Sequence, residues 1–160
     1  MYPLRVRYQE TDQMAVVFHA NYVTWFEVGR TELIRHAGYR YADIEQAGLL
    51  LPVTELHCRF GRPARYDDPV MICTRLAAVS AVRIAFESQI RTRAQEDDAP
   101  RWWAGEEPPG ELLVEGGTRH VWVNRDWRPM RLDRAQPELH AAIMGLYGGD
   151  ARTGGREEGL

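Results

Sequence analysis

Arg7-Tyr8-Gln9-Glu10-Thr11-Asp12-Gln13-Met14-Ala15-Val16-Val17-Phe18-His19-Ala20-Asn21-Tyr22 marks the point where the chain changes period. Upstream, Leu4-Arg5-Val6-Arg7-Tyr8 alternates apolar and charged side chains, the pattern of a short strand with one buried face. Downstream, from about His19 to Ala37, the period becomes helical. At about 100° per residue, Tyr22, Trp25, Phe26, Gly29, Leu33 and Ala37 fall in one apolar stripe, while Thr24, Glu27, Thr31 and Arg35 lie outside it. Gly38 supplies a C-terminal stop, and Gly29, inside the stripe, lets this helix approach a sheet closely. The stretch therefore sets one carboxylate, Asp12, between a strand and a helix start. There, unpaired backbone N–H groups and the helix dipole can act on a bound carbonyl.

A second short helix is expected over Tyr41–Ala47, and strands follow it. In Val53–Phe60, Leu56, Cys58 and Phe60 share one face and Glu55, His57 and Arg59 the other. Asp67-Asp68-Pro69 reads as a turn, Val70–Val79 and Val82–Thr92 as long strands, and Leu112–Asn124 as another with a bulge at Gly116-Gly117. Residues 95–110, acidic, proline-containing and carrying Trp102-Trp103, read as a long hairpin insertion or lid. Arg134–Tyr147 reads as a terminal helix, and residues 148–160 as a disordered tail. One helix followed by long antiparallel strands is an α+β pattern, a single domain over residues 1–147.

The 160 residues suffice for one domain with a real core, and a net charge of −3 argues against a nucleic-acid partner. No apolar run has the length of a bilayer span and the N-terminus has no signal-like segment, so a cytoplasmic protein is expected. All 20 basic residues are arginine, which removes Schiff-base and P-loop lysines. The only serines, Ser80 and Ser88, lie in strand-like runs with no nucleophile elbow, and Cys58 and Cys73 have no metal-type spacing. The five histidines form no metal-binding cluster either, so no metal site is expected. If the chain is a hydrolase, its working group is a carboxylate.

The stretch from Arg7 to Tyr22 resembles the opening motif of the 4-hydroxybenzoyl-CoA thioesterase-like branch of the hotdog-fold enzymes. The likeness continues through Trp25–Glu32, Leu50–Val53 and Arg62–Pro69. It departs at Ala15, where the family generally has glycine, and at the 95–110 insertion. The resemblance implies an α+β hotdog fold, a sheet wrapped around a helix. It also implies an acyl-CoA thioesterase without cofactor, acting on acyl-CoA or on an acyl-carrier protein, and assembled as a homodimer or homotetramer with no membrane partner. The family's catalytic aspartate maps onto Asp12, as direct nucleophile or as general base to water; the sequence leaves both open. Backbone N–H groups around Phe18 and His19 are the expected oxyanion donors. His19 is a second proton-transfer candidate, Asn21 and Tyr22 are expected to fix the helix entry, and Glu27 is the fallback acid. Arg59, Arg62, Arg65 and Arg83 are candidates for the phosphates of coenzyme A. The competing expectations are a non-hydrolytic acyl-thioester binder and an acyl-thioester dehydratase.

Overall fold

In the computed structural model, which describes residues 1–93 and 107–151, five antiparallel strands form one sheet against one face of a long helix. The strands are β1 (Tyr2–Arg5), β2 (Val53–Phe60), β3 (Pro69–Val79), β4 (Arg83–Thr92) and β5 (Leu112–Val121). Their order across the sheet is β1-β3-β4-β5-β2. The helices are α1 (Ala20–His36), α2 (Tyr41–Gln46), α3 (Leu132–Ala135) and α4 (Pro137–Ala151).

Helix α1 lies across β3 and β4 because its apolar stripe is buried. Tyr22, Trp25, Phe26, Gly29 and Leu33 all face inward. A side-chain carbon at Gly29 would sit 2.8 Å from Ile72 Cγ2 and closer still to Thr74 Oγ1. Only a bare backbone fits there. Around the N-terminal half of α1 the core contains Val6, Val17, Tyr22, Trp25, Phe26, Ile72, Ile90 and Val114. Around its C-terminal half are Leu33, Ile34, Phe86, Trp122, Leu139 and Ile143. The first cluster supports the Asp12 region.

Several expected boundaries shift. The first strand is Tyr2–Arg5, and Tyr8–Glu10 is a 3₁₀ turn, because the Glu10 carboxylate accepts the Arg7 N–H at 2.8 Å and folds the chain over. Strand β5 ends at Val121, since the Trp122 N–H turns to Val82 O and its carbonyl receives Met130 N–H. No bulge occurs at Gly116-Gly117, where pairing with Cys58 and His57 is continuous; the β2–β5 irregularity lies between Val53 and Glu55. Close packing explains these glycines, for a Cβ on Gly116 would meet Phe26 at 2.8 Å and one on Gly117 would meet His57 at 2.9 Å. Ser80 lies in the β3–β4 turn, where its Oγ accepts the Arg83 N–H at 2.9 Å, and Ser88 lies in β4. Helix α4 continues past Tyr147 to Ala151, a stretch of glycine, aspartate and alanine that holds no proline to stop it. Residues 95–106 of the expected insertion, with Trp102 and Trp103, and residues 152–160 of the expected tail lie outside the described residues.

Strand β2 is a sheet edge. Val53, Leu56 and Phe60 are exposed on its α1-facing side, and the outward edge of its backbone has no neighbouring strand among the described residues.

Candidate active site

Asp12 sits on a tight turn closed by its own backbone. Its N–H donates to Val16 O and its carbonyl accepts Ala15 N–H, both at 2.9 Å, while Thr11 and Val17 form an antiparallel bridge. Ala15 adopts φ +58°, the left-handed conformation that favours glycine, so the turn takes its shape at a cost in strain. One Asp12 carboxylate oxygen accepts the Met14 N–H at 2.8 Å, which orients the side chain. The other has no partner among the described residues, and the side chain is half-buried.

The turn is anchored by a residue that the sequence motif contains but whose chemistry is not legible from it. Glu10 is 3% exposed. Its carboxylate accepts the Arg7 N–H at 2.8 Å, the Arg7 guanidinium at 2.9 Å and the Trp25 indole N–H at 3.0 Å. Its main-chain carbonyl accepts the Phe18 N–H and Asn21 Nδ2, each at 2.9 Å. One residue thus ties the Asp12 turn to both the entry and the buried face of α1. Burial pushes the Glu10 carboxyl upward, but its bonds to Arg7 and the Trp25 indole prevail and hold it below its ordinary range. A buried glutamate two residues before a candidate acid, followed by a tryptophan on the buried face, is the only signal that could have revealed it.

The same hydrogen bond corrects one expected oxyanion donor. The Phe18 N–H is already paired with Glu10 O, whereas the His19 N–H, at the cap of α1, meets no acceptor among the described residues. The His19 ring is exposed, 4.3 Å from Phe18 and 6.2 Å from Phe60, centroid to centroid. The Tyr22 hydroxyl is buried and accepts the Ala64 N–H at 2.9 Å, while Ala64 O accepts the Val17 N–H at 2.8 Å. The loop after β2 is thereby stitched to the Asp12 turn. Burial, joined by the negative field of Asp68, raises the Tyr22 phenol above its ordinary value, although the Ala64 bond opposes this. The phenol therefore stays protonated.

The four candidate arginines do not converge. Arg65 reaches the turn itself, donating to Ala15 O at 3.3 Å, and Arg62 in the same loop pairs with Glu111. Arg59 points to the sheet face away from α1 and pairs with Glu115 at 3.2 Å. Arg83 is removed from the group by register: it opposes Val121, at the far end of the sheet from Phe60, which opposes Val114. Glu27 is exposed on α1, two turns beyond the helix start, beside Arg30 and Tyr41. Among the described residues no group of three or more His, Cys, Asp or Glu side chains could hold a metal ion. Cys58 and Cys73 are free thiols, both pushed upward by burial, Cys73 to about 11.

The sequence matches the thioesterase-like superfamily over residues 6–143. It is 31% identical over 140 residues to a Bacillus subtilis protein named putative acyl-CoA thioesterase YneP, covering 87% of this chain and 91% of that one. It is also 32% identical over 89 residues to the Escherichia coli acyl-CoA thioester hydrolase YbgC, covering 56% of this chain and 66% of that one. Among solved structures, the DHNA-CoA thioesterase of Staphylococcus aureus superposes with a TM-score of 0.80 at 32% identity, over 94% of this chain and 92% of that one. The fold is thus the hotdog fold, and the class is that of the thioester hydrolases. The chain belongs to the thioesterase-like superfamily.

Proposed function

We propose that the protein hydrolyses acyl-CoA thioesters at Asp12, with the His19 backbone N–H receiving the charge that develops on the thioester oxygen. The observation that carries this is the Asp12 carboxylate, oriented by the Met14 N–H in a turn that the Thr11–Val17 bridge ties to the chain entering α1, with one carboxylate oxygen and the His19 N–H left without a partner among the described residues. Water, or Asp12 itself, adds to the thioester carbon; the C–S bond breaks, and coenzyme A leaves as a thiolate that takes a proton. The helix dipole at the head of α1 favours both the ionised Asp12 and the developing oxyanion. Direct attack would pass through an aspartyl anhydride, which a second water opens; base catalysis would not. Label found in Asp12 after single-turnover hydrolysis in ¹⁸O-water would identify the anhydride route, with water opening the anhydride at the aspartyl carbonyl. Arg62 and Arg65, in the loop stitched to the Asp12 turn, are the arginines placed to meet the phosphates of coenzyme A.

The β2 edge supports a homodimer. An exposed edge strand with exposed apolar side chains is a liability in a monomer, and pairing with a second copy removes it. Antiparallel pairing centred on His57 would set Glu55 opposite the partner's Arg59, with opposite charges facing on the outer side. Thiol release from a panel of acyl-CoAs, with light scattering on the same sample, tests activity and assembly together. No release from any acyl-CoA would favour a non-hydrolytic binder, and a monomeric mass with full activity would refute the dimer.

A further inference from the structure

The tip of the Asp12 turn, residues 13–16, has one hydrogen bond to another element among the described residues: the Arg65 guanidinium donates to Ala15 O at 3.3 Å. That carbonyl belongs to a strained residue. At φ +58° the Ala15 Cβ crowds its own backbone, and the relaxed conformations lie at negative φ. Reaching them turns the peptide planes that flank Ala15. One plane carries the Ala15 N–H that closes the turn on Asp12 O; the other carries Ala15 O itself. An open turn no longer frames the Met14 N–H that orients the Asp12 carboxylate. A donor fixed on Ala15 O opposes that movement.

The backbone that carries Arg65 is fixed on both sides. Its own N–H donates to the Asp68 carboxylate at 2.8 Å. The preceding residue, Ala64, is buried; its N–H donates to the Tyr22 hydroxyl at 2.9 Å and its carbonyl accepts the Val17 N–H at 2.8 Å. The following residue, Tyr66, packs edge-on against Tyr8, 5.6 Å between ring centroids, and the Asp67 N–H donates to Val6 O at 3.0 Å. Val6 and Tyr8 precede Asp12 in the chain, whereas Val17 and Tyr22 follow it. The base of the Arg65 side chain is thus pinned to the same frame as the turn, and its reach to Ala15 O is set by that frame. The guanidinium has five N–H groups, so a bond to Ala15 O leaves others for a phosphate. We infer that Arg65 is a positioning residue for Asp12: its guanidinium holds the carbonyl of the strained Ala15 and so keeps the turn closed around the carboxylate. This inference rests on Asp12 as the catalytic group proposed above. It is distinct from a contact with coenzyme A, because the hold acts on substrates that carry no phosphate.

Two measurements on the full chain test it. The first is thiol release from the acyl-CoA that wild type cleaves fastest, beside the pantetheine thioester of the same acyl group, which has no phosphate. Arg65 is exposed, so Arg65→Met should fold. It should lower kcat about three- to tenfold on both thioesters, the factor that one lost hydrogen bond is worth. In the Ala15→Gly background the same substitution should lower kcat by less than about twofold, because glycine holds this conformation without support. A loss confined to the KM of the CoA thioester would make Arg65 a phosphate contact alone and overturn the inference. An equal loss of kcat in both backgrounds would overturn it too. The second measurement is amide hydrogen exchange at Asp12, whose N–H donates to Val16 O across the turn, and it needs no catalysis. Protection there should fall about three- to tenfold in Arg65→Met and stay unchanged when Arg65→Met is made in the Ala15→Gly background. If protection falls in this way while wild type cleaves no thioester, the hold on the turn stands and the hydrolase proposal falls. If thioesters are cleaved but Asp12 is equally protected in wild type and Arg65→Met, the hold falls and the hydrolase proposal stands.

Discussion

Replacing Glu10 by glutamine changes one oxygen to an amide nitrogen in a side chain that is 3% exposed. One Glu10 oxygen now accepts the Arg7 N–H at 2.8 Å, and the other accepts both the Arg7 guanidinium and the Trp25 indole. A glutamine can keep its oxygen toward Trp25 and then points its NH₂ at the Arg7 N–H, donor against donor. Leaving that N–H without an acceptor costs about 1–3 kcal/mol. The charge term adds little, because the Arg7 side chain is 61% exposed and solvent screens the pair. The expected loss is thus about 1–3 kcal/mol in urea denaturation at pH 7, with a fall in melting temperature of roughly 2–4 °C per kcal/mol for a chain of this size. It should shrink in acid. The folded carboxyl of Glu10 is held below its unfolded value, so its contribution is full above the unfolded pKa and disappears as pH falls through the folded one. Because Glu10 also positions the Asp12 turn, kcat should fall with KM little changed. Equal stability of wild type and Glu10→Gln at pH 7, within about 0.5 kcal/mol, would refute Glu10 as the anchor.

Gly29→Ala should destabilise by about 1–3 kcal/mol in the same denaturation assay, since its Cβ would have to displace Thr74 and Ile72. Ala15→Gly should be neutral or stabilising by up to about 1 kcal/mol, opposite to most such changes, because relief at φ +58° outweighs the added freedom of the unfolded chain. His120 is buried; burial first, then the neighbouring Arg30 charge, lower its pKa from 6.5 to about 4. Its neutral form is therefore favoured in the fold. The stability it contributes is full above pH 6.5 and lost as pH falls toward 4, on the order of 3 kcal/mol, and His120→Gln should flatten stability over that window. Hydrolysis should survive EDTA, because carboxylate and backbone N–H groups supply the proposed chemistry; chelator-sensitive turnover would contradict that.

Much of the fold was legible because its periods are unmixed. The α1 stripe, with Gly29 inside it, and the alternation of Val82–Thr92 are regular enough to place a helix against a sheet. The ends of elements were harder to read. Tyr8 continues the alternation of Leu4–Arg7, yet Glu10 captures the Arg7 N–H and turns the chain. Gly116-Gly117 has the composition of a bulge, but its cause is close packing by Phe26 and His57, residues distant in sequence. Within the candidate site, Asp12 stands out through the likeness of Arg7–Tyr22 to the family's opening motif, since a Thr-Asp pair before a helix is by itself more often a cap. That the Phe18 N–H is occupied and the His19 N–H open depends on which carbonyl folds back over the helix start, and no local pattern encodes it. Arg83 is a candidate because the resemblance places the ligand near its strand; antiparallel register sends it to the opposite end.

In the proposed mechanism Asp12 carries the hydrolysis. The most direct test is thiol release by purified Asp12→Asn and wild type on the same acyl-CoA panel, with circular dichroism confirming equal folding. The amide can neither attack the thioester as an anion nor take a proton from water, so kcat/KM should fall by at least about 10²-fold on every substrate that wild type cleaves. A correctly folded Asp12→Asn within a few-fold of wild type would contradict the account.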